Sequence, residues 1–204
     1  MEPQKKTDEK GSISVQGHIK IFDPITKEVF IDKRNAIHFE NMSEALALSL
    51  ANKGQQFIHE LHFGNGGTSV DPTGVITYLP PNTTGESADL YNATYYKVVD
   101  DTSSLNSDAT RNKIEVRHTN GLIYTDILVT CLLDYGEPAG QQAFDNSTNL
   151  DDDFVFDELG LKGWGGEEGT GKLLTHVIFH PLQKALNRLI QIDYTVRIQT
   201  LSGG

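Results

Sequence analysis

Residues 166–172, Gly166-Glu167-Glu168-Gly169-Thr170-Gly171-Lys172, have the G-x-x-x-x-G-K spacing with which backbone amides and a lysine cradle nucleotide phosphates. That chemistry also needs a Ser or Thr next, to hold Mg2+, an apolar strand before the loop and a helix after it. Leu173 stands at the Ser/Thr position, Leu161-Lys162-Gly163-Trp164 precedes, and a strand-like stretch follows. Two adjacent glutamates would also repel phosphate. A flexible loop is the expected reading.

Seven histidines raise the question of a metal. His176 and His180 share one face of a strand, but four residues at about 3.3 Å each hold them about 13 Å apart. One ion needs its donor nitrogens about 2 Å away. His59 and His62 are three apart in a strand candidate and so project to opposite faces. Neither H-E-x-x-H nor C-x-x-C occurs. Asp151-Asp152-Asp153 with Asp157 and Glu158 offer oxygen donors, without the alternating D-x-D-x-D-G spacing of a calcium loop. They read as a solvated acidic loop, or one that meets a basic patch on a neighbour. There is no G-x-S-x-G nucleophile elbow. Cys131 lies inside the apolar run 127–133 and reads as a small buried hydrophobe. Paired acids for glycoside hydrolysis are set by spacing in three dimensions, and nothing in the chain singles out a pair. The expectation is a protein without catalytic machinery, cofactor or metal.

The elements that would carry any site are mostly strands. Ile13, Val15, Gly17, Ile19 and Ile21 alternate with polar residues, and Asp23-Pro24-Ile25-Thr26 supplies turn chemistry before Glu28-Val29-Phe30-Ile31. Residues 13–32 therefore predict a hairpin. Thr119-Asn120-Gly121 between Lys113–His118 and Leu122–Leu133 predicts a second one. Further strands are expected at 57–63, at 173–179 up to Pro181, and at 188–199, which has the longest alternation. One helix is expected at about 42–53, capped by Asn41 and stopped by Gly54. Leu46 and Leu50 form its narrow apolar stripe.

Residues 1–12 lack any apolar period and read as a flexible tail, leaving 13–204 as a single β-rich domain. Two stretches, about 64–112 and about 135–171, read as long loops. Long loops are usually functional or disordered, and these carry large aromatic groups. Tyr91, Tyr95, Tyr96, Phe154 and Trp164 are therefore the candidate interface anchors. Each has a plainer alternative, covering its own domain's core.

The formal charge of −11, from 17 Lys and Arg against 28 Asp and Glu, disfavours a surface that grips phosphates, so no direct nucleic-acid contact is expected. No run approaches the roughly 18 apolar residues of a membrane span, and no charged-apolar-small pattern opens the chain. A single cysteine rules out an intrachain disulfide.

Four stretches carry a resemblance. They are Asn35-Ala36-Ile37-His38-Phe39-Glu40-Asn41-Met42-Ser43, His62-Phe63-Gly64-Asn65-Gly66-Gly67-Thr68, Tyr95-Tyr96-Lys97-Val98-Val99-Asp100-Asp101, and Leu174-Thr175-His176-Val177-Ile178-Phe179-His180-Pro181. Together they resemble a virion structural protein family of T4-like tailed phages, particularly those infecting marine cyanobacteria, over roughly 13–201. The resemblance implies a neck, collar, tail or baseplate component of the virion, assembled in the host cytoplasm. Its expected partners are other virion structural proteins and further copies of itself in a ring. The fold expected from the residues is mainly β and sandwich-like, with the one short helix packed on it. The alternative is a carbohydrate- or receptor-binding module at a tail tip, with Trp164 stacking on a sugar.

Overall fold

The computed structural model describes residues 11–138, 155–185 and 187–202. Its elements in chain order are β1 (Gly11–Phe22), β2 (Val29–Ile37), α1 (Phe39–Leu50), β3 (Ile58–Gly64), β4 (Thr68–Val70), β5 (Ile76–Tyr78), β6 (Ala93–Val98), β7 (Lys113–His118), β8 (Tyr124–Leu133), β9 (Val155–Gly163), β10 (Thr175–Gln183) and β11 (Ile190–Ser202). Nine strands form one antiparallel sheet in the order β6-β3-β9-β10-β2-β1-β11-β8-β7, and β4 pairs with β5 as a separate ribbon. The fold is mainly β and sandwich-like, because this one sheet curls on itself.

The curl follows from the alternation. Ile19 and Ile21 of β1, Val129 and Cys131 of β8, and Ile192, Tyr194 and Val196 of β11 turn one way. They pack into the same buried cluster as Leu61 and Phe63 of β3, Leu159 and Leu161 of β9, and Val177 of β10. The halves β2-β1-β11-β8-β7 and β6-β3-β9-β10 therefore face each other. Only the two pairs Thr175–Ile37 and His176–Ala36 join them through the sheet. At the opposite margin Lys97 Nζ of β6 donates to the Leu132 carbonyl of β8 at 2.8 Å, which draws the two outer ends together.

A polar thread crosses the otherwise apolar core. Asn35 Nδ2 donates to the Tyr194 hydroxyl at 2.6 Å, that hydroxyl donates to Thr175 Oγ1 at 2.6 Å, and the Leu161 amide donates to the same Oγ1 at 3.1 Å. It links β2 and β11 with β10 and β9. Removing the Tyr194 hydroxyl leaves Asn35 Nδ2 without that acceptor and Thr175 Oγ1 without that donor, so Tyr194→Phe is expected to cost about 2 kcal/mol. Urea unfolding checks this, as a lower midpoint with an unchanged slope.

The two hairpins form where expected. Asp23 accepts from the amides of Ile25 and Thr26 at 2.8 and 3.0 Å, closing the first turn. The second closes through the Leu122 amide and Thr119 carbonyl at 3.1 Å, with Gly121 at φ 89°. The C-terminal strand runs beside β1 along its full length, from Gly11–Ser202 to Phe22–Gln191. Gly11 and Ser12 thus belong to β1 and not to a tail.

Several expectations need correcting. The helix begins at Phe39, three residues before the expected start. Its cap is His38, whose Nδ1 accepts the Asn41 amide at 3.3 Å. Asn41 is instead buried, donating Nδ2 to the Leu173 carbonyl at 2.9 Å. Met42 and Ala45 are the apolar residues α1 buries, while Leu50 is 83% exposed. The stretch read as one loop, 64–112, contains β4, β5 and β6, so Tyr95 and Tyr96 are strand residues. The stretch 135–171 contains β9, a strand inside the sheet. Its sequence hides this because both faces are buried and one of them is charged. β10 runs through Pro181 with a break in register between Ile178 and Leu182, as a missing amide requires.

Candidate functional site

The unusual feature lies on the face of β3, β9 and β10 turned away from the core. Leu61 and Phe63 point inward opposite Leu161 and Leu159, so Glu60, His62, Glu158 and Lys162 point outward. An outer face normally meets water. Here Glu60, His62, Glu158, Lys162 and His176 are all buried, because segments 65–92 and 164–174 lie over them. Gly160 makes room for this cover: a Cβ there would meet Leu173 Cδ1 at 2.6 Å and Leu90 Cδ1 at 2.8 Å.

Each buried charge is answered. Glu158 Oε1 accepts the amides of Gly66 at 3.0 Å and Asn92 at 2.9 Å. Its Oε2 accepts the Tyr91 amide at 3.0 Å and His176 Nε2 at 2.9 Å. His176 Nδ1 in turn accepts the Asn82 amide at 2.9 Å. An amide only donates, so Nδ1 carries no proton and Nε2 carries the ring's hydrogen: His176 is a neutral donor to Glu158. Asp157 accepts the amides of Gly67 and Thr68 at 2.9 and 2.8 Å, together with the Thr68 hydroxyl. Glu60 accepts His62 Nε2 at 2.7 Å and the Gly169 amide at 3.0 Å. Lys162 Nζ meets Asp89 at 2.8 Å. These carboxylates act as templates that shape the covering segments.

Burial alone would raise the carboxyl pKa of Glu158, but the hydrogen bonds from His176, Asn92, Tyr91 and Gly66 outweigh it and hold the group below its ordinary 4.5. Glu60 is likewise held down against its burial, by His62, the Gly169 amide and His59. Asp157 goes the other way, raised by burial and by neighbouring Glu158 despite its three donors. Groups with depressed values contribute stability above their unfolded value and lose it as pH falls through the folded value. Asp157 opposes this, contributing below its unfolded value and losing that contribution as pH rises through its folded one. Asp23, Asp71, Glu86, Asp108, Glu115, Asp126 and Asp134 are also held low by hydrogen-bond donors, so depressed carboxyls set the sign. The urea midpoint should decline as pH falls below about 4.5, through the range of the depressed carboxyls. Glu60→Gln should flatten part of that decline.

His59 comes nearest to a reactive arrangement. Nδ1 lies 3.3 Å from Glu60 Oε1 and Nε2 lies 3.3 Å from Ser103 Oγ. A carboxylate acceptor at Nδ1 puts the hydrogen there and leaves Nε2 as the acceptor, the tautomer a serine nucleophile requires. Both contacts are at the long limit of a hydrogen bond. Ser103 Oγ already accepts the Leu105 amide at 3.2 Å, which folds the hydroxyl into its own turn. The contact serves to fasten segment 99–112 onto β3.

The expected anchors are distributed differently from the expectation. Tyr95 packs against Phe63, ring centroids 5.8 Å apart, and burial lifts its hydroxyl pKa well above the usual range. Tyr96 is partly exposed and stacks on His62 at 5.3 Å. Tyr91 is partly exposed, and its hydroxyl donates to the Pro80 carbonyl at 2.7 Å. Trp164 is half-buried, with its ring 4.4 Å from that of His59. Tyr96 and Tyr91 thus keep exposed surface, while Tyr95 covers its own core. Phe154 lies outside the described residues, as do Asp151, Asp152 and Asp153.

The phosphate-loop lookalike is the β9–β10 connection. Lys172 Nζ is held between Glu44 at 2.7 Å and Glu86 at 2.8 Å, and the Gly169 amide faces a carboxylate. Among the described residues no three His, Cys, Asp or Glu side chains are placed to share an ion. Cys131 is buried, and its thiol pKa is pushed up to about 12 by burial. The buried pairs at Glu60 and Glu158 were not anticipated from the sequence. Their signal was an acid set within an apolar strand run, as in Phe57-Ile58-His59-Glu60-Leu61 and Phe156-Asp157-Glu158-Leu159.

A second feature is apolar and exposed. Strands β1, β11, β8 and β7 extend past the cover of α1. Their core-side face continues outward through Ile13, Val15, Ile198, Ile127 and Val116. Phe39 and Leu50 of α1 flank a groove of about 620 Å3 against Ile13 and Val15. Beyond the helix, Phe57, Ile114, Val116 and Ile198 line another of about 360 Å3. Met42 and Leu46 belong to both, so the surface is continuous.

No family model, no curated protein and no solved structure matches the chain. No helix among the described residues is long and apolar enough to cross a membrane.

Proposed function

We propose that this chain is a structural subunit of a tailed-phage virion, without catalytic activity, that works through protein–protein contacts made by its exposed apolar end. The observation that carries the assembly role is that surface. Phe39 is 66% exposed, Leu50 83% and Val116 71%. With Ile13 and Phe57 they present on the order of 500 Å2 of apolar side chain, near the top of the range for the largest patch on a monomer. Leaving it in water is unfavourable by roughly 25 cal/mol per Å2. The virion setting rests on the sequence resemblance, and the buried charged face supports a scaffolding role because its groups are spent on one another.

Light scattering on the full chain, alone and mixed with purified virion components, tests this. A mass above the monomer is expected in at least one of these samples. The double variant Phe39→Ser, Val116→Glu should lose that association while keeping its circular dichroism spectrum. A chain that stays monomeric and binds no virion component, or a folded double variant that associates unchanged, would overturn the proposal.

A further inference from the structure

We propose that Asn120 is a site of spontaneous succinimide formation, and that the fold protects the chain's other Asn-Gly pair from the same reaction. Asn-Gly occurs twice, at 65–66 and 120–121. In this chemistry the backbone nitrogen of the glycine gives up its proton to solvent base and attacks Cγ of the asparagine. A C–N bond forms, the Cγ–Nδ2 bond breaks, and Nδ2 leaves as ammonia. Water then opens either carbonyl of the five-membered ring. The product is aspartate, or isoaspartate with the chain rerouted through the side chain. Amide and water become carboxylate and ammonium, and no oxidant or reductant is needed. The reaction requires the glycine nitrogen to reach Cγ, and a glycine puts no side chain in the way.

The two sites differ in that requirement. Asn120 and Gly121 are both exposed, in the turn between edge strand β7 and β8. The turn is closed by one hydrogen bond, Leu122 to Thr119, and the Asn120 side chain has no hydrogen-bond partner among the described residues. Gly121 already takes φ 89°, so rotation of the intervening peptide meets no Cβ. Asn65, by contrast, is buried. The Gly66 nitrogen, which would have to attack, donates to Glu158 Oε1 at 3.0 Å. Asn65 Oδ1 accepts from Asn92 Nδ2 at 2.5 Å. A Cβ on Gly66 would lie 2.7 Å from the Asn92 nitrogen, so the peptide has no room to turn. Reaction at Asn65 must wait for the segment to lift off Glu158, and its rate falls by the population of that opening.

Conversion at Asn120 adds one negative charge to a chain already at −11. Isoaspartate also lengthens the turn that sets the pairing of His118 with Thr125, a few residues from Val116. The modification does not depend on the proposed assembly role; only its effect on association does.

The test is peptide mapping of the intact chain after incubation at mildly alkaline pH, with isoaspartate detected by an isoaspartyl methyltransferase. Native protein should convert Asn120 at least about tenfold faster than Asn65, and in denaturant the two should agree within about threefold. Equal native rates would overturn the protection, and an intact Asn120 in native protein whose denatured form converts would overturn the site. Neither result bears on association, which light scattering reads separately.

Discussion

Glu158→Ala is expected to destabilise the protein by about 3–5 kcal/mol, the effect of removing one partner from a buried charged network. The side chain takes four hydrogen bonds, three from backbone amides that cannot turn elsewhere and one from His176. Water cannot reach those donors while segment 65–92 stays down, so the segment must lift or leave them unpaired. Glu158→Gln is close in size but turns an N–H toward two of the four donors, and should cost nearly as much. Urea unfolding gives the magnitude. Hydrogen exchange locates it: the amides of Gly66, Tyr91 and Asn92 should lose protection well before those of β11. A loss below about 1 kcal/mol would mean that the covering segments do not depend on this carboxylate.

Gly171→Ala should be comparably severe, on the order of 3 kcal/mol or more, for a steric reason. A Cβ at this position would lie 1.5 Å from the Gly163 carbonyl oxygen and 2.5 Å from its carbon. Both are backbone atoms of β9, so no rotamer change relieves the clash and the connection at 171 must move off β9. That movement breaks the bond from the Gly163 amide to the Lys172 carbonyl, 3.0 Å, and unseats Lys172 from Glu44 and Glu86. Gly166→Ala is the control. Its Cβ meets open space, and only the strain of φ 108° remains, about 1 kcal/mol. Thermal or urea unfolding of the pair should separate clash from strain.

How much of this was legible in the residues depended on whether a strand has a wet side. β1, β7 and β11 alternate because one face meets solvent, and their hairpins follow from Asp23 and Gly121. β9 has no wet side. Its Asp157, Glu158 and Lys162 look like solvated loop residues until the partners that answer them are known, and those partners come from segments near 66, 89 and 91. Such pairing is non-local, and no window along the chain contains it. β6 is short, and its adjacent Tyr95 and Tyr96 face opposite ways, one into the core and one onto His62. The helix shifted because its cap is a histidine ring nitrogen, with the Phe39 amide bonded to the distant Thr83 carbonyl at 2.9 Å. Neither is a preference that helix-start rules anticipate.

The side-by-side course of β1 and β11 has a mechanical consequence. Residues 11 and 202 are opposite partners at one end of a ladder whose bonds run perpendicular to the strands. Tension applied through these two residues would open the ladder rung by rung, like a zipper, and would not load all of its bonds in shear. A pull of that kind meets low resistance.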